Sequence, residues 1–194
     1  MNKRPDQYRK NIRLKDYDYS SAGYYFVTIV SYKRKNIFGE IIDGKNNLNP
    51  LGMIVEKTWQ EIPVHFPYIK VDSHIVMPNH FHGIVIINEV GAQLGGVQHV
   101  VVVGAQHAEP LREIKPQPLG LIVRSFKSAV TKRVHDLDLF VGEKIWQRNY
   151  YEHIIRDEDD HQQIADYIET NPLNWEYDHE NLAMQNLSSS TPLG

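Results

Sequence analysis

The sequence predicts an α+β fold: a ferredoxin-like (split βαβ) antiparallel sheet with helices on one face. Two observations carry that expectation. Apolar residues recur at strand-like or helix-like spacing in the order strand, helix, two strands, helix, strand, helix. The chain has 194 residues, enough for one hydrophobic core of its own and too few to require a second domain.

The elements can be taken in order. Tyr24 to Val30 is rich in aromatic and β-branched residues and reads as a buried strand ending at the basic run Lys33-Arg34-Lys35. Ile41-Ile42-Asp43-Gly44, with Asn46-Asn47 after it, carries a turn signature that closes a small hairpin. From Pro50 the apolar positions Leu51, Ile54, Val55, Thr58, Trp59 and Ile62 fall at steps of three and four. This is an amphipathic helix with Asn49 as N-cap and Pro63 as its stop. Tyr68 to Val76 alternates, Met77-Pro78-Asn79 interrupts, and Phe81 to Ile87 resumes as an apolar run, which reads as two strands and a tight connection. Helical spacing returns over Leu119 to Leu137, an extended stretch follows over Lys144 to Ile155, and a helix with an acidic start spans Asp159 to Thr170. Asn171-Pro172 is expected to end it, because the residue before proline avoids the α region.

Two stretches stand outside this pattern. Residues 90–118 are dominated by Gly, Ala, Gln and Val, and Val-Gly-Ala-Gln occurs at 90–93 and again at 103–106, so we read a flexible insertion with a β-prone segment at Val100 to Val103. Residues 184–194, with Ser188-Ser189-Ser190-Thr191-Pro192, read as a disordered tail.

Composition narrows the chemistry. Hydrophobic residues make up 41% and charged residues 23%, values of a chain that folds. There is no cysteine, which excludes disulfides, thiolate zinc sites and a cysteine nucleophile, so any metal is held by nitrogen and oxygen. The N-terminal residues are polar and charged and no stretch is apolar for long enough to span a bilayer, so no membrane partner and a cytoplasmic location are expected. A net charge of −3 argues against indiscriminate coating of duplex DNA. Positive charge is nevertheless local, at Lys33, Arg34 and Lys35 and at Arg124, Lys127, Lys132 and Arg133, where phosphate contact and an ordinary solvated face are both open readings. Tyr32 and Phe126 lie near these clusters and have the rings that unpaired bases stack on, although Phe126 also fits the apolar face of its helix.

The informative string is Met77-Pro78-Asn79-His80-Phe81-His82-Gly83. On a strand, His80 and His82 point to one side and Phe81 to the other. Two neutral imidazoles on a rigid strand make half of a divalent metal site, and two histidines at a polar sheet edge are the plainer alternative. The second string is Tyr167-Ile168-Glu169-Thr170-Asn171. Residues four apart on a helix share a face, so Tyr167 and Asn171 project together: an amide oxygen for a metal and a phenol for a phosphorus atom, or a packed tyrosine with no chemistry. Tyr150 and Tyr151 compete for the nucleophile's role, but neither has an amide four residues on. His74 and His153 are candidates to support the site from behind or to be ordinary satisfied histidines, and His99 and His107 fall in the insertion.

Taken together and in this order, Pro78-Asn79-His80-Phe81-His82, then Trp146-Gln147-Arg148 with Tyr150 to Arg156, then Tyr167-Ile168 with Asn171-Pro172 resemble the HUH single-tyrosine transposases, specifically the REP-associated tyrosine transposase branch. The resemblance runs from about Tyr24 to Tyr177, broken by the insertion. It implies one transposase-like domain over 1–194, metal ligands His80 and His82 with Asn171 as the third, and Tyr167 as nucleophile. The implied cofactor is Mg²⁺ or Mn²⁺ and the implied partner is single-stranded or hairpin DNA, acted on by a monomer or a homodimer. The implied activity is cleavage through a 5′-phosphotyrosine link followed by strand transfer. Two other readings stay open: a hairpin-binding module of the same fold without catalysis, and a His-ligated metal hydrolase that uses an activated water.

Overall fold

The computed structural model describes residues 17–89, 117–140, 142 and 144–181. The tail at 184–194, the histidines His99 and His107 and all of the 90–118 insertion except residues 117 and 118 lie outside the described residues.

Four strands form one antiparallel sheet: β1 (Gly23–Val30), β4 (Ile69–Val76), β5 (His80–Ile87) and β6 (Tyr151–Ile155), in the order β4-β5-β1-β6. β1 and β4, joined through α1 (Pro50–Gln60), do not touch; β5 lies between them, antiparallel to both. This is the split βαβ arrangement of the ferredoxin-like class. β2 (Gly39–Ile42) and β3 (Lys45–Leu48) pair separately as a hairpin, and its turn residues Asp43 and Gly44 both have positive φ, 50° and 68°. That is the backbone a two-residue hairpin turn asks for, and Asp-Gly supplies it at little cost.

Local signals set the helix ends. The Asn49 side chain accepts from the Gly52 amide at 3.0 Å, capping α1 as expected. Pro63 ends α1 less abruptly than expected, since the chain turns once more as α2 (Ile62–His65) with the proline in its first turn, where the missing N–H is not needed. α3 (Leu119–Asp136) runs one residue short of its expected end. The extended stretch expected at Lys144 to Ile155 forms as two pieces: a single bridge between Trp146 and Ser31, then β6.

One side of the sheet carries Tyr25, Val27 and Ile29 of β1 and Phe81, Val85 and Ile87 of β5, packed against Leu51, Val55 and Trp59 of α1 and Leu119, Ile122, Phe126, Val130 and Val134 of α3. Phe126 takes its place in this core and is 2% exposed. The other side was expected to lack helices, and here the structure differs: α4 (Glu158–Thr170) covers it, with Ile164 and Ile168 against Phe26, Ile84 and Ile155. The physical reason lies in β1 and β5, which are apolar on both faces for much of their length. A strand of that kind leaves a second surface that water would otherwise wet, and the last helix buries it. Among the described residues no helix is long and apolar enough to cross a membrane.

Gly83 lies at a tight point of the main core. A Cβ there would meet the Trp59 ring at 2.6 Å and the Phe81 ring at 2.8 Å. Trp59 is fully buried, with its ring centroid 4.5 Å from that of Phe81 at a 52° tilt, so it has nowhere to retreat. Gly83→Ala is therefore expected to destabilise the fold by about 1–3 kcal/mol through overpacking, read as a lower urea midpoint at unchanged slope.

Candidate metal centre

β5 begins at His80, and its pairing with β1 sets His80 opposite Val30 and His82 opposite Thr28. Strand alternation turns both imidazoles to the α4 side, where they are buried at 0% and 3% exposure. Their Nε2 atoms are 2.9 Å apart. Two donors about 2.1 Å from one ion and at a right angle to each other would be separated by about 3 Å, so the spacing suits adjacent ligands of a single ion. Aromatic rings lie close to both: Phe26 stacks on His82 at 5.3 Å, Tyr167 meets His82 edge-on at 5.2 Å, and Trp175 lies 6.0 Å from His80.

Burial settles the charge of the pair. Desolvation, with a smaller push from the Arg34 guanidinium, drives His80 down to about 3. His82 is held well below its ordinary value, first by burial and then by His80, with Asp178 acting weakly the other way. Both rings are therefore neutral at physiological pH, which is the form that ligates metals. Their outward nitrogens are also engaged, His80 Nδ1 with Asn79 Oδ1 at 2.8 Å and His82 Nδ1 with Thr28 Oγ1 at 2.9 Å.

α4 brings the second half of the site. Its N-terminus is capped by Asp157, whose carboxylate accepts from the Asp160 amide at 2.9 Å, and three acids in the first turn complement the helix dipole. From there the helix leads Tyr167 to the pair, with Tyr167 Oη 3.3 Å from His82 Nε2 and its ring edge-on to Phe26. Tyr167 is half-exposed. Its phenol is pushed up to about 12, mainly by burial of the hydroxyl and then by Asp178, while a hydrogen bond from Asn171 works against the shift.

Asn171 does not break the helical path as its Pro172 neighbour suggested. It keeps α-helical angles, φ −55° and ψ −41°, and the chain continues as a 3-10 helix over Asn171–Tyr177. Its side chain is buried. Nδ2 donates to Asp178 Oδ2 at 3.2 Å, and Oδ1 is a buried acceptor without a hydrogen-bond partner. Asp178 is the residue the sequence reading missed. Its Oδ2 lies 3.8 Å from His80 Nε2, its side chain is 5% exposed, and His80, His82 and Asp178 offer ligand atoms all within 4.8 Å of one another. Two neutral imidazoles, a buried carboxylate and an orphaned amide oxygen form a donor set that fits a divalent cation. No spacing rule pointed to Asp178, because it follows a turn whose path depends on packing.

The remaining candidates are dispersed. His74 turns to the Asp72 carbonyl and the ring of Phe81, and His153 pairs with Asp160 at 2.9 Å, so neither stands behind the histidine pair. Tyr150 packs against the main core, whereas Tyr151 shares the α4 face and meets Phe26 at 6.3 Å. Of the basic residues, Arg133 is tied to Glu61 and Thr58, Arg34 is tied to Glu180, and Lys33 lies 5.2 Å from the ring of Tyr32. Lys35 and Arg124 are exposed.

Lys127 and Lys132 line an open groove of about 550 Å³ with Ser128, Thr131, Lys144 and the backbone turn Ile145 to Arg148. Lys127 is a clamp in its floor, donating to the carbonyl oxygens of Gln147 and Arg148, and burial lowers it to about 8. The groove lies on the α3 side of the sheet but at the same end as the histidines. The Gln147 amide donates to the carbonyl of Val30, the residue paired with His80.

No family model matches the chain. An uncharacterized protein of Haemophilus influenzae is 42% identical over 172 residues, spanning 88% of this chain and 92% of that protein. Among solved structures, a REP-associated tyrosine transposase bound to a REP hairpin superposes with a TM-score of 0.53 over 84% of this chain and 73% of its own, at 16% identity. That likeness is one of fold.

An ion held by this group binds only the folded chain, so it raises stability by about 2.7 kcal/mol when free metal is 100 times Kd. For a domain of this size that is an upward shift of about 5–10 °C in Tm. Scanning calorimetry with and without millimolar Mn²⁺ is expected to show such a shift for the wild-type chain, its reversal by EDTA, and its loss in His82→Ala.

Proposed function

We propose that this chain, which belongs to one family with the Haemophilus influenzae protein, is a metal-dependent DNA strand-cleaving and strand-joining enzyme that uses Tyr167 as nucleophile. The observation that carries the reading is the convergence of Tyr167 Oη, 3.3 Å from His82 Nε2, with the His80, His82 and Asp178 cluster. A hydrolase that activates water has no need of a phenol at that point. The fold shared with a transposase bound to a hairpin is consistent with the reading and with a DNA substrate.

His80, His82 and Asp178 would hold the ion, with Asn171 Oδ1 as the further oxygen donor. Such a set of nitrogen and oxygen donors is compatible with Mn²⁺ and Mg²⁺. When bound, the ion polarises the scissile phosphate and stabilises negative charge in an in-line displacement. The residues of the chain do the rest. Tyr167 Oη forms a bond to the phosphorus while the bond from phosphorus to the 3′-oxygen breaks, and the phenolic proton ends on the departing 3′-hydroxyl. The strand is then joined to Tyr167 through its 5′-phosphate. Attack by another 3′-hydroxyl reverses the bond changes, returns a proton to Tyr167 and consumes no water, so the bond energy is conserved. A neutral phenol is a weak nucleophile, and the Asp178 carboxylate that helps hold it neutral is the same group that would be screened by a bound cation. Phe26 and Trp175, beside the two imidazoles, limit water at the reacting atoms.

The groove between α3 and the 145–148 turn would carry the DNA backbone. Lys144 and Arg148 supply charge, with Lys132 beside them paired to Asp136, and Ser128 supplies a hydroxyl donor. A strand leaving this groove would pass to the histidines around the end of the sheet, where the Gln147 amide meets the carbonyl of Val30 beside His80. Among the basic residues expected to touch DNA, Arg133 serves the contact between α3 and α1 instead.

Two measurements test the reading. Labelled single-stranded hairpin DNA incubated with the protein and Mn²⁺ should yield an adduct that survives denaturing electrophoresis, and Tyr167→Phe should abolish it; cleavage that persists in Tyr167→Phe would instead indicate a water-activating hydrolase. Lys144→Glu combined with Arg148→Glu should weaken hairpin binding by at least tenfold and reduce the slope of log K against log salt by about one to two units, with the melting temperature unchanged.

A further inference from the structure

We propose that Asn79 is the positioning residue of the metal pair, holding His80 in the tautomer that carries its proton on Nδ1 and leaves the Nε2 lone pair open toward His82 and Asp178. The proposal rests on the reading that this pair ligates a divalent ion, but it concerns the protein before any ion arrives.

A carboxamide has one accepting end and one donating end, and its other partners decide which end faces a histidine. Asn79 is fully buried. Its Nδ2 lies 2.6 Å from the carbonyl oxygen of Glu180 and 3.2 Å from that of Arg34. Carbonyl oxygens only accept, so this end is the NH2 group. The end facing His80 Nδ1 at 2.8 Å is then the oxygen, which also only accepts. His80 must therefore donate from Nδ1. A neutral imidazole has a single N–H, so a ring that donates from Nδ1 to Asn79 Oδ1 leaves its Nε2 bare.

The surroundings hold the amide in that orientation. The Asn79 carbonyl accepts from the Ser31 amide at 2.8 Å, and the Pro78 carbonyl accepts from Ile37 and Phe38 at 2.9 and 3.0 Å. Arg34 presents its carbonyl from a left-handed backbone, φ 53°, and its guanidinium is paired with Glu180, so the two acceptors of Asn79 are tied to each other. Rotating the amide would leave the carbonyls of Arg34 and Glu180 facing an oxygen and the His80 N–H facing an NH2 group.

His82 has no such constraint. Its Nδ1 partner is the hydroxyl of Thr28, which can donate or accept. Without an ion, His82 can donate from Nε2 across the 2.9 Å gap to the bare Nε2 of His80, while Thr28 donates to His82 Nδ1. When an ion takes the gap, the His82 proton belongs on Nδ1 and Thr28 turns to accept it. One imidazole is thus preset by Asn79 and the other adapts through Thr28.

Long-range proton–nitrogen NMR of the imidazoles in the metal-free protein, with His80 assigned by the signals missing from His80→Gln, tests the proposal directly. We expect a protonated Nδ1 and a bare Nε2 for His80; a proton on Nε2 overturns the proposal whatever the metal does. Asn79→Ala should give His80 as a mixture of tautomers and should weaken Mn²⁺ binding about 10–100-fold, read from the free-ion signal in electron paramagnetic resonance. Affinity and tautomer unchanged in that variant would also overturn it. Should Asn79→Ala fail to fold, the wild-type spectrum decides alone. A wild-type chain that shows the bare Nε2 and binds no Mn²⁺ would remove the metal reading and leave the role of Asn79 in place.

Discussion

Everything at the site follows from the burial of two imidazoles on the same face of one strand. A histidine loses its proton readily when water is withdrawn, and β5 places His80 and His82 where almost none remains. Two neutral rings with their Nε2 atoms 2.9 Å apart need something between them, because two lone pairs at that distance repel. A proton donated from one ring to the other would satisfy the gap, and so would a divalent cation. The donors gathered there, a buried carboxylate and an amide oxygen without a partner, would be costly to bury with no positive charge to meet them.

The two faces of the sheet divide the work. On one, α1 and α3 lock β1 and β5 from behind through Trp59, Phe81 and Phe126, so the strand bearing the histidines is held against the densest part of the molecule. On the other, α4 rests on a much smaller apolar contact around Ile164 and Ile168 and is joined to β4 and β6 by polar pairs, His161 with Asp72 and His153 with Asp160. The histidine pair therefore belongs to the densely packed element and the phenol to the lightly held one. A lightly held helix would suit the role proposed for Tyr167, which has to accept a phosphate and later release it.

Charge is distributed with the same economy. The chain is acidic overall, at −3, yet the groove beside α3 is lined by Lys127, Lys132, Lys144 and Arg148. Part of the cationic sequence is spent on structure: Arg133 joins α3 to α1, Lys127 fastens the 147–148 turn, and Arg34 anchors the chain after the 3-10 helix. A basic run in a sequence thus divides between solvent and scaffold, and neighbouring residues can fall on either side.

Much of this was legible before any coordinates. Strand alternation alone put His80 and His82 on one face, helical spacing alone aligned Tyr167 with Asn171, and the order of elements was enough for the split βαβ sheet, because these depend on local periodicities of two and 3.6 residues. What the sequence could not decide was where separate elements meet. Asp178 comes to the histidines only because Asn171 stays helical before Pro172 and the chain turns on through a 3-10 helix; α4 covers the second face only because β1 and β5 leave it apolar; and Asn79 is oriented by carbonyls from Arg34 and Glu180, 45 and 101 residues away. Those are contacts between distant parts of the chain, set by which surfaces exclude water together, and no spacing rule encodes them.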